Sequence, residues 1–193
     1  MLRETDEQSA LQAEVRRLTA ELADTRRRIA ELEARADIDP LLEVLNHRGF
    51  ERELARAIAH VSRYGTPAAL LFIDLDGFKP VNDRHGHAAG DRLLKAVAAE
   101  LTRRVRASDV VGRLGGDEFG VVMWHVAPAL AAAKALELER LLERITFAPD
   151  GARVSVGASA GIVPLAAGGT PAALIDAADR AMYARKRQRR GGS

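Results

Sequence analysis

The sequence predicts an α/β domain behind a coiled-coil helix, and three observations point there. A heptad repeat runs through the first stretch of the chain. A short apolar strand and a glycine-rich β-hairpin, each ending in acidic residues, lie in its body. Amphipathic helix patterns alternate with these β segments. The 193 residues suffice for one domain with a substantial core plus an appendage, and 47% hydrophobic with 29% charged residues is a globular composition. Lys and Arg total 29 against 27 Asp and Glu, so the formal net charge is only +2, weak support for a nucleic-acid partner. There is no cysteine, which excludes disulfides and thiolate metal sites. The longest apolar run, 68–73, is strand-sized, and the charged N-terminus is no signal peptide. No membrane segment is expected, and a cytoplasmic location is.

The chain has no glycine or proline between Gln8 and Ala36. Val15, Leu22, Ile29 and Ala36 share one heptad position; Leu11, Leu18 and Leu32 share the other, with Thr25 its polar member. A seam sustained for about four heptads predicts a parallel coiled coil over residues 1–36, with Glu21 facing Arg26 and Arg28 facing Glu33 across two helices. A single amphipathic helix lying on its own domain would show a broader stripe. Asp39-Pro40 breaks the pattern, so the boundary is expected near residue 37, with residues 37–193 as the second domain.

Residues 46–49 read as a turn before a helix over 50–63, with Phe50, Leu54, Ala57, Ile58 and Val61 inward. The run 68–73 reads as a strand buried on both faces, ending in Asp74-Leu75-Asp76. Residues 77–90 read as a polar loop, and 91–104 as a helix with Leu93, Leu94, Val97 and Leu101 on one face. The segments 109–114 and 119–124 then flank Gly115-Gly116-Asp117-Glu118, a hairpin whose glycines are expected to reach φ > 0. Pro128 opens a helix expected to end near Ile145, and 153–164 is a β segment. Thr170-Pro171 opens a last helix, with Leu174, Ile175, Ala178, Met182 and Tyr183 inward, that runs into a basic tail from Arg185 to Arg190.

Alone, the hairpin reads equally as an ordinary turn with solvated acids and as a site. Asp74 and Asp76 break the tie. If the two strands are neighbours, the carboxylates converge, and hard oxygen ligands without cysteine select Mg²⁺ or Mn²⁺. Gly77, Gly115 and Gly116 beside the acids would admit a phosphate. Neither a Walker P-loop nor a G-x-G-x-x-G run is present. His85-Gly86-His87 has no third ligand near in sequence and is not read as a metal site. The basic tail lacks an aromatic or basic reading face, so no nucleic-acid partner is expected.

Gly115-Gly116-Asp117-Glu118-Phe119 is similar to the signature that names the GGDEF domains, the diguanylate cyclases. The stretch Asp74-x-Asp76-x-Phe78-Lys79-x-x-Asn82-Asp83-x-x-Gly86-His87-x-x-Gly90-Asp91-x-x-Leu94 resembles the same family. So do Asp39-Pro40-Leu41 with Leu45-Asn46 and Arg48, Ser159-x-Gly161, and Ala178-Asp179-x-Ala181-x-Tyr183-x-x-Lys186, and together they span residues 37–190. The resemblance implies a palm-like α/β (α+β) domain related to adenylyl cyclases, with a mostly antiparallel central sheet wrapped by helices. It implies condensation of two GTP into cyclic di-GMP and two pyrophosphates across a homodimer, each 3′-hydroxyl attacking the other nucleotide's α-phosphate.

Carried over by position, the resemblance gives Asp74, Asp117 and the Leu75 carbonyl to the metals, with Glu118 beside them helping to deprotonate the 3′-hydroxyl. It gives Lys79 and the backbone around Gly77 and Phe78 to the phosphates, joined by Lys186 and Arg190 from the last helix. Gly115 and Gly116 make room for nucleotide. Asn82 and Asp91 are similar to the family's guanine readers, although an acid at a helix N-terminus is also favoured by the dipole. Arg106-x-x-Asp109 resembles the family's inhibitory motif and implies feedback inhibition by cyclic di-GMP. The chain departs from the family pattern at Leu42-Glu43 (commonly Thr-Gly), His47 (arginine), Arg185 (alanine) and Arg189 (glycine). The alternative is a catalytically silent receptor of cyclic di-GMP or GTP signalling through its coiled coil, against which stand Asp74, Asp117, Glu118 and Lys79.

Overall fold

The computed structural model describes residues 37–147 and 154–191, together with residues 12, 14–26, 28 and 32. The chain divides into two compact units, Met1–Ala36 and Asp37–Ser193. In the first, residues 14–26 are helical and Val15, Leu18, Leu22 and Leu32 are exposed. Arg17 pairs with Glu14 and Glu21, and Arg28 with Asp24, along the same helix. Leu11, Ile29, Glu33 and Ala36 of the expected seam lie outside the described residues.

The second unit contains α1 (His47–Tyr64), β1 (Ala68–Asp76), α2 (Phe78–His85), α3 (His87–Arg104), β2 (Val110–Arg113), β3 (Glu118–Trp124) and α4 (Pro128–Leu142). It continues with β4 (Thr146–Phe147), β5 (Val154–Ser155), β6 (Gly157–Pro164) and α5 (Pro171–Gly191). Four strands form a sheet in the order β2-β3-β1-β6, each pair antiparallel, while β4 and β5 pair separately. This is the helix-wrapped antiparallel sheet expected. β1 is central, so the alternation of its side chains fills two cores. Ala69, Leu71, Ile73 and Leu75 pack with α2, α3 and α4; Ala68, Leu70 and Phe72 pack with α1 and α5. The Phe50 ring lies against Gly112 and Gly120, which face each other across β2 and β3, and a Cβ at either would come within 2.7 Å of it.

Five details correct the sequence reading. Residues 77–90 are not a loop but α2, then Gly86 at φ 79°, then the start of α3. α2 has only Phe78 and Val81 to bury, too few apolar positions for a helical period to show. α1 begins at His47 because the Asn46 side chain accepts from Gly49 N–H at 2.9 Å, a helix cap rather than a free turn. α4 stops at Leu142, and Tyr183 is 59% exposed, not inward. Finally, the positive-φ glycines among the described residues are Gly65, Gly77, Gly86 and Gly168, so Gly115 and Gly116 serve another purpose than a left-handed turn.

Candidate active site

Register brings the two acidic stretches together. Asp74 of β1 stands opposite Glu118 of β3 on one side and Ser159 of β6 on the other. The Leu75 N–H donates to the Asp117 carbonyl at 3.2 Å, tying the hairpin tip to the end of β1. The Glu118 carboxylate folds back over the turn, its Oε2 lying where a Cβ on Gly115 would stand, and Gly116 faces open space.

Arg113 holds the turn from below. Its Nε donates to the Gly115 carbonyl at 2.9 Å and its Nη2 to the Gly116 carbonyl at 2.8 Å, while Nη1 reaches Asp39 Oδ2 at 3.1 Å. Asp39 Oδ1 is itself fixed by the Leu41 and Leu42 N–H groups, both at 2.9 Å. His47 Nδ1 donates to the Leu114 carbonyl at 3.0 Å. The resemblance assigned no role to Asp39, Arg113 or His47. The Arg113 to Asp39 bond spans 74 positions, beyond any pattern a sequence window can show.

The acids crowd one another. Burial, then repulsion from Asp74, lifts the Asp117 carboxyl above its ordinary pKa despite Lys186 and Arg113 nearby. Burial, then Asp117, Asp74 and Asp179, lifts Glu118, with His47 opposing. Lys186 Nζ hydrogen-bonds Asp74 Oδ1 and lies 2.5 Å from Asp76 Oδ1, and Ser159 Oγ donates to Asp76 Oδ2 at 2.7 Å. Burial works against the Lys186 ammonium, but bonds to the two aspartates outweigh it and hold its pKa above that of a free lysine. Among the described residues no three His, Asp or Glu side chains are gathered as ready ligands for an ion. Asp74, Asp117 and the Leu75 carbonyl nonetheless fit a hard divalent cation: they are hard oxygen donors at adjoining strand ends, a cation would relieve the burial and repulsion felt by the Asp117 carboxylate, and phosphate oxygens can complete its shell.

The remaining sequence-derived residues fall around this end of β1 or apart from it. Gly77 caps α2 without a side-chain hydrogen bond, next to buried Phe78 and exposed Lys79. Asn82 Oδ1 is buried with no hydrogen-bond partner among the described residues. Gly90 makes its place, since a Cβ there would run into that oxygen. Asp91 is exposed on α3 beyond a first turn that carries no acid, so the helix dipole does not account for it. The α5 backbone runs through position 190, but the Arg190 side chain lies outside the described residues. Arg106 and Asp109 sit at the opposite end of the hairpin strands from the acids. Asp109 accepts from the Arg106 N–H at 2.9 Å and the Trp124 N–H at 3.0 Å, while the Arg106 side chain is exposed.

A family model described as diguanylate cyclase, GGDEF domain, matches residues 36–192. The chain belongs to the GGDEF family. It is 44% identical over 168 residues to the diguanylate cyclase TpbB of Pseudomonas aeruginosa (strain UCBPP-PA14), covering 84% of this chain and 38% of TpbB. It is 37% identical over 172 residues to the probable diguanylate cyclase DgcE of Escherichia coli (strain K12), covering 89% of this chain and 16% of DgcE. The chain thus spans well under half of either relative. Its fold is similar to the coiled coil and GGDEF domain of DgcB from Caulobacter crescentus in complex with c-di-GMP (TM-score 0.77, 27% identity, 92% of this chain and 95% of that one). It is also similar to the GGDEF domain of PA1120 (TpbB or YfiN) from Pseudomonas aeruginosa (TM-score 0.72, 40% identity, 78% of this chain and 89% of that one).

Proposed function

We propose that the chain is a diguanylate cyclase domain that condenses two GTP into cyclic di-GMP and two pyrophosphates, one nucleotide held by each of two copies. The strand register that sets Asp74 opposite Glu118, with Leu75 tied to Asp117, carries the proposal. Asp74, Asp117 and the Leu75 carbonyl would hold Mg²⁺ or Mn²⁺, with Glu118 beside them. Bound there, the cations would lower the pKa of the attacking 3′-hydroxyl and neutralise the triphosphate. Glu118, lifted by burial and neighbouring acids toward a useful basicity, takes the hydroxyl proton. The 3′-oxygen then attacks the α-phosphate held by the partner copy, and pyrophosphate leaves.

Lys79, the N–H groups at the start of α2 (Gly77 and Phe78), Lys186 and Arg190 hold phosphate oxygens, and Gly116 leaves space for nucleotide. Asn82 and Asp91 read guanine. A carboxylate can accept from both the N1 and N2 donors of guanine, whereas adenine has no N1 donor and would leave it unpaired. The unpartnered Asn82 Oδ1 supports this reading, because a base donor would satisfy it.

One copy is half a site, so the heptads of residues 1–36 would align two copies in parallel. Supporting this, Val15, Leu18 and Leu22 are exposed along one helix. Arg106 and Asp109 form the product site, where Arg106 can donate twice to the O6/N7 edge of guanine and confer feedback inhibition. Among the described residues no helix is long and apolar enough to cross a membrane; we assign the domain to the cytoplasm, where GTP is available. The test is incubation with GTP and Mg²⁺ followed by separation of the nucleotides. Cyclic di-GMP and pyrophosphate are expected; GTP recovered intact while cyclic di-GMP binds would make the chain a receptor instead.

A further inference from the structure

We infer that Lys186 fills the cation position of the acidic site in the nucleotide-free protein and yields it when metal and nucleotide enter, its ammonium passing from Asp74 to the phosphates while Asp76 keeps it at hand. The inference deepens the cyclase reading and rests on it.

Three observations carry it. The ammonium meets Asp74, the central carboxylate of the pair with Asp117, and Asp76 at the same time. All three side chains are mostly withdrawn from water, at 20%, 19% and 28% exposure, so their attraction is screened far less than that of a surface pair. Asp76 is itself anchored: Ser159 Oγ donates to its Oδ2, leaving Oδ1, otherwise without a hydrogen-bond partner among the described residues, turned to the ammonium.

The two kinds of cation ask different things of the carboxylates. An ammonium is a point charge with three donors on a flexible stem, indifferent to coordination geometry. Mg²⁺ or Mn²⁺ needs several oxygens at short range. With Lys186 on Asp74 the site offers too few, in keeping with the lack of a gathered ligand set among the described residues. A divalent ion arriving alone must displace the lysine and leave it beside Asp76. An ion arriving with a triphosphate brings both its missing oxygens and a new partner for the ammonium. Metal and nucleotide therefore bind cooperatively, and stray divalent ions are kept out.

The experiment measures Mn²⁺ binding to the full chain by the electron paramagnetic resonance signal of the free ion, with and without a non-hydrolysable GTP analogue. Without nucleotide, Lys186→Met should bind Mn²⁺ about tenfold tighter than the parent, since the competing charge on Asp74 is gone. Lys186→Gln gives a second, more polar variant should the first fold poorly. Arg187→Met removes the same formal charge from an exposed neighbour and should leave the affinity unchanged. Adding Asp74→Asn to Lys186→Met should abolish the gain. Equal Mn²⁺ affinity of the parent and both Lys186 variants, or an equal gain in Arg187→Met, would overturn the exchange while leaving the cyclase reading intact. Failure of the parent to bind Mn²⁺ even with the GTP analogue would overturn the cyclase reading and this inference with it.

Discussion

The proposed reaction makes two demands on Glu118 at the hairpin tip: to sit beside a cation and to accept a proton. Both are served by its folding over Gly115 into the field of Asp117, Asp74 and Asp179, and both cost stability when no cation is present. Its pKa in the folded chain is raised, as is that of Asp117. The folded state therefore holds these protons more tightly than the unfolded one. The associated stability is complete below the ordinary carboxylate pKa and is lost as pH rises through the raised value. Glu118→Gln should accordingly melt higher than the parent at neutral pH, with the difference closing as pH falls into the carboxylate range. Thermal melts across pH check this, and a parent that melts higher at neutral pH would contradict it. The same variant should lose on the order of 10² in kcat or more, the usual scale for a general base, so its stability and activity move in opposite directions. Arg113 acts one step back from the chemistry by holding the Gly115 and Gly116 carbonyls and reaching Asp39. Arg113→Met should lower kcat about tenfold with a smaller change in KM, because the turn that positions Asp117 and Glu118 loosens. Asp39→Asn should add little in that background, a non-additivity that steady-state kinetics on the double variant can measure.

At the scale of elements, the hairpin β2–β3 links two regions that the sequence pattern treats separately. Its tip carries the acids, and its far end carries Arg106 and Asp109. Asp109 spends both carboxylate oxygens on backbone N–H groups, fastening the turn before β2 to Trp124 at the end of β3. Arg106→Ala should therefore relieve inhibition by cyclic di-GMP with the fold intact. Asp109→Ala should in addition cost about 1–3 kcal/mol, since a part-buried N–H loses its acceptor. Inhibition curves and urea titrations separate the two effects; equal inhibition of Arg106→Ala and parent would refute the product site. The departure at Arg185 also acquires a reason at this scale. Its guanidinium donates to the Ala160 carbonyl at 2.9 Å and to buried Glu139 at 3.1 Å, and Glu139 accepts from the Ala160 N–H at 2.8 Å. The arginine thus ties α5 to α4 across β6, and the charge buried on α4 has its counter-ion.

For the whole molecule, the proposed reaction needs two copies to meet, because a 3′-hydroxyl on one nucleotide would have to reach the phosphate of another. Removal of residues 1–36 should lower specific activity at low protein concentration and restore it at high concentration; full activity of the truncated form at nanomolar dilution would contradict the role of the heptads. Much of the fold was legible in the sequence. The unbroken apolar run of β1 dictates burial on both faces, the spacing of Leu93, Leu94, Val97 and Leu101 dictates one face of α3, and the glycine-rich turn between two β-prone runs dictates a hairpin. Residues 77–90 escaped because α2 is short and mostly polar, and the conformations of Gly115 and Gly116 because a close approach and a left-handed turn call for the same residue. The acids at the two strand ends could be named from sequence, but their convergence depended on β1 and β3 being neighbours. Which segments are apolar enough to be buried and which residues can ligate could be read along the chain, because periodicity and residue chemistry act over a few positions. Folding is what sets Lys186 on Asp74 across 112 positions, Ser159 on Asp76 across 83, and Arg113 on Asp39 across 74. Those pairings arise from where the sheet order sets α5, β6 and the chain before α1 relative to β1 and the hairpin, and short-range patterns carry no record of that order.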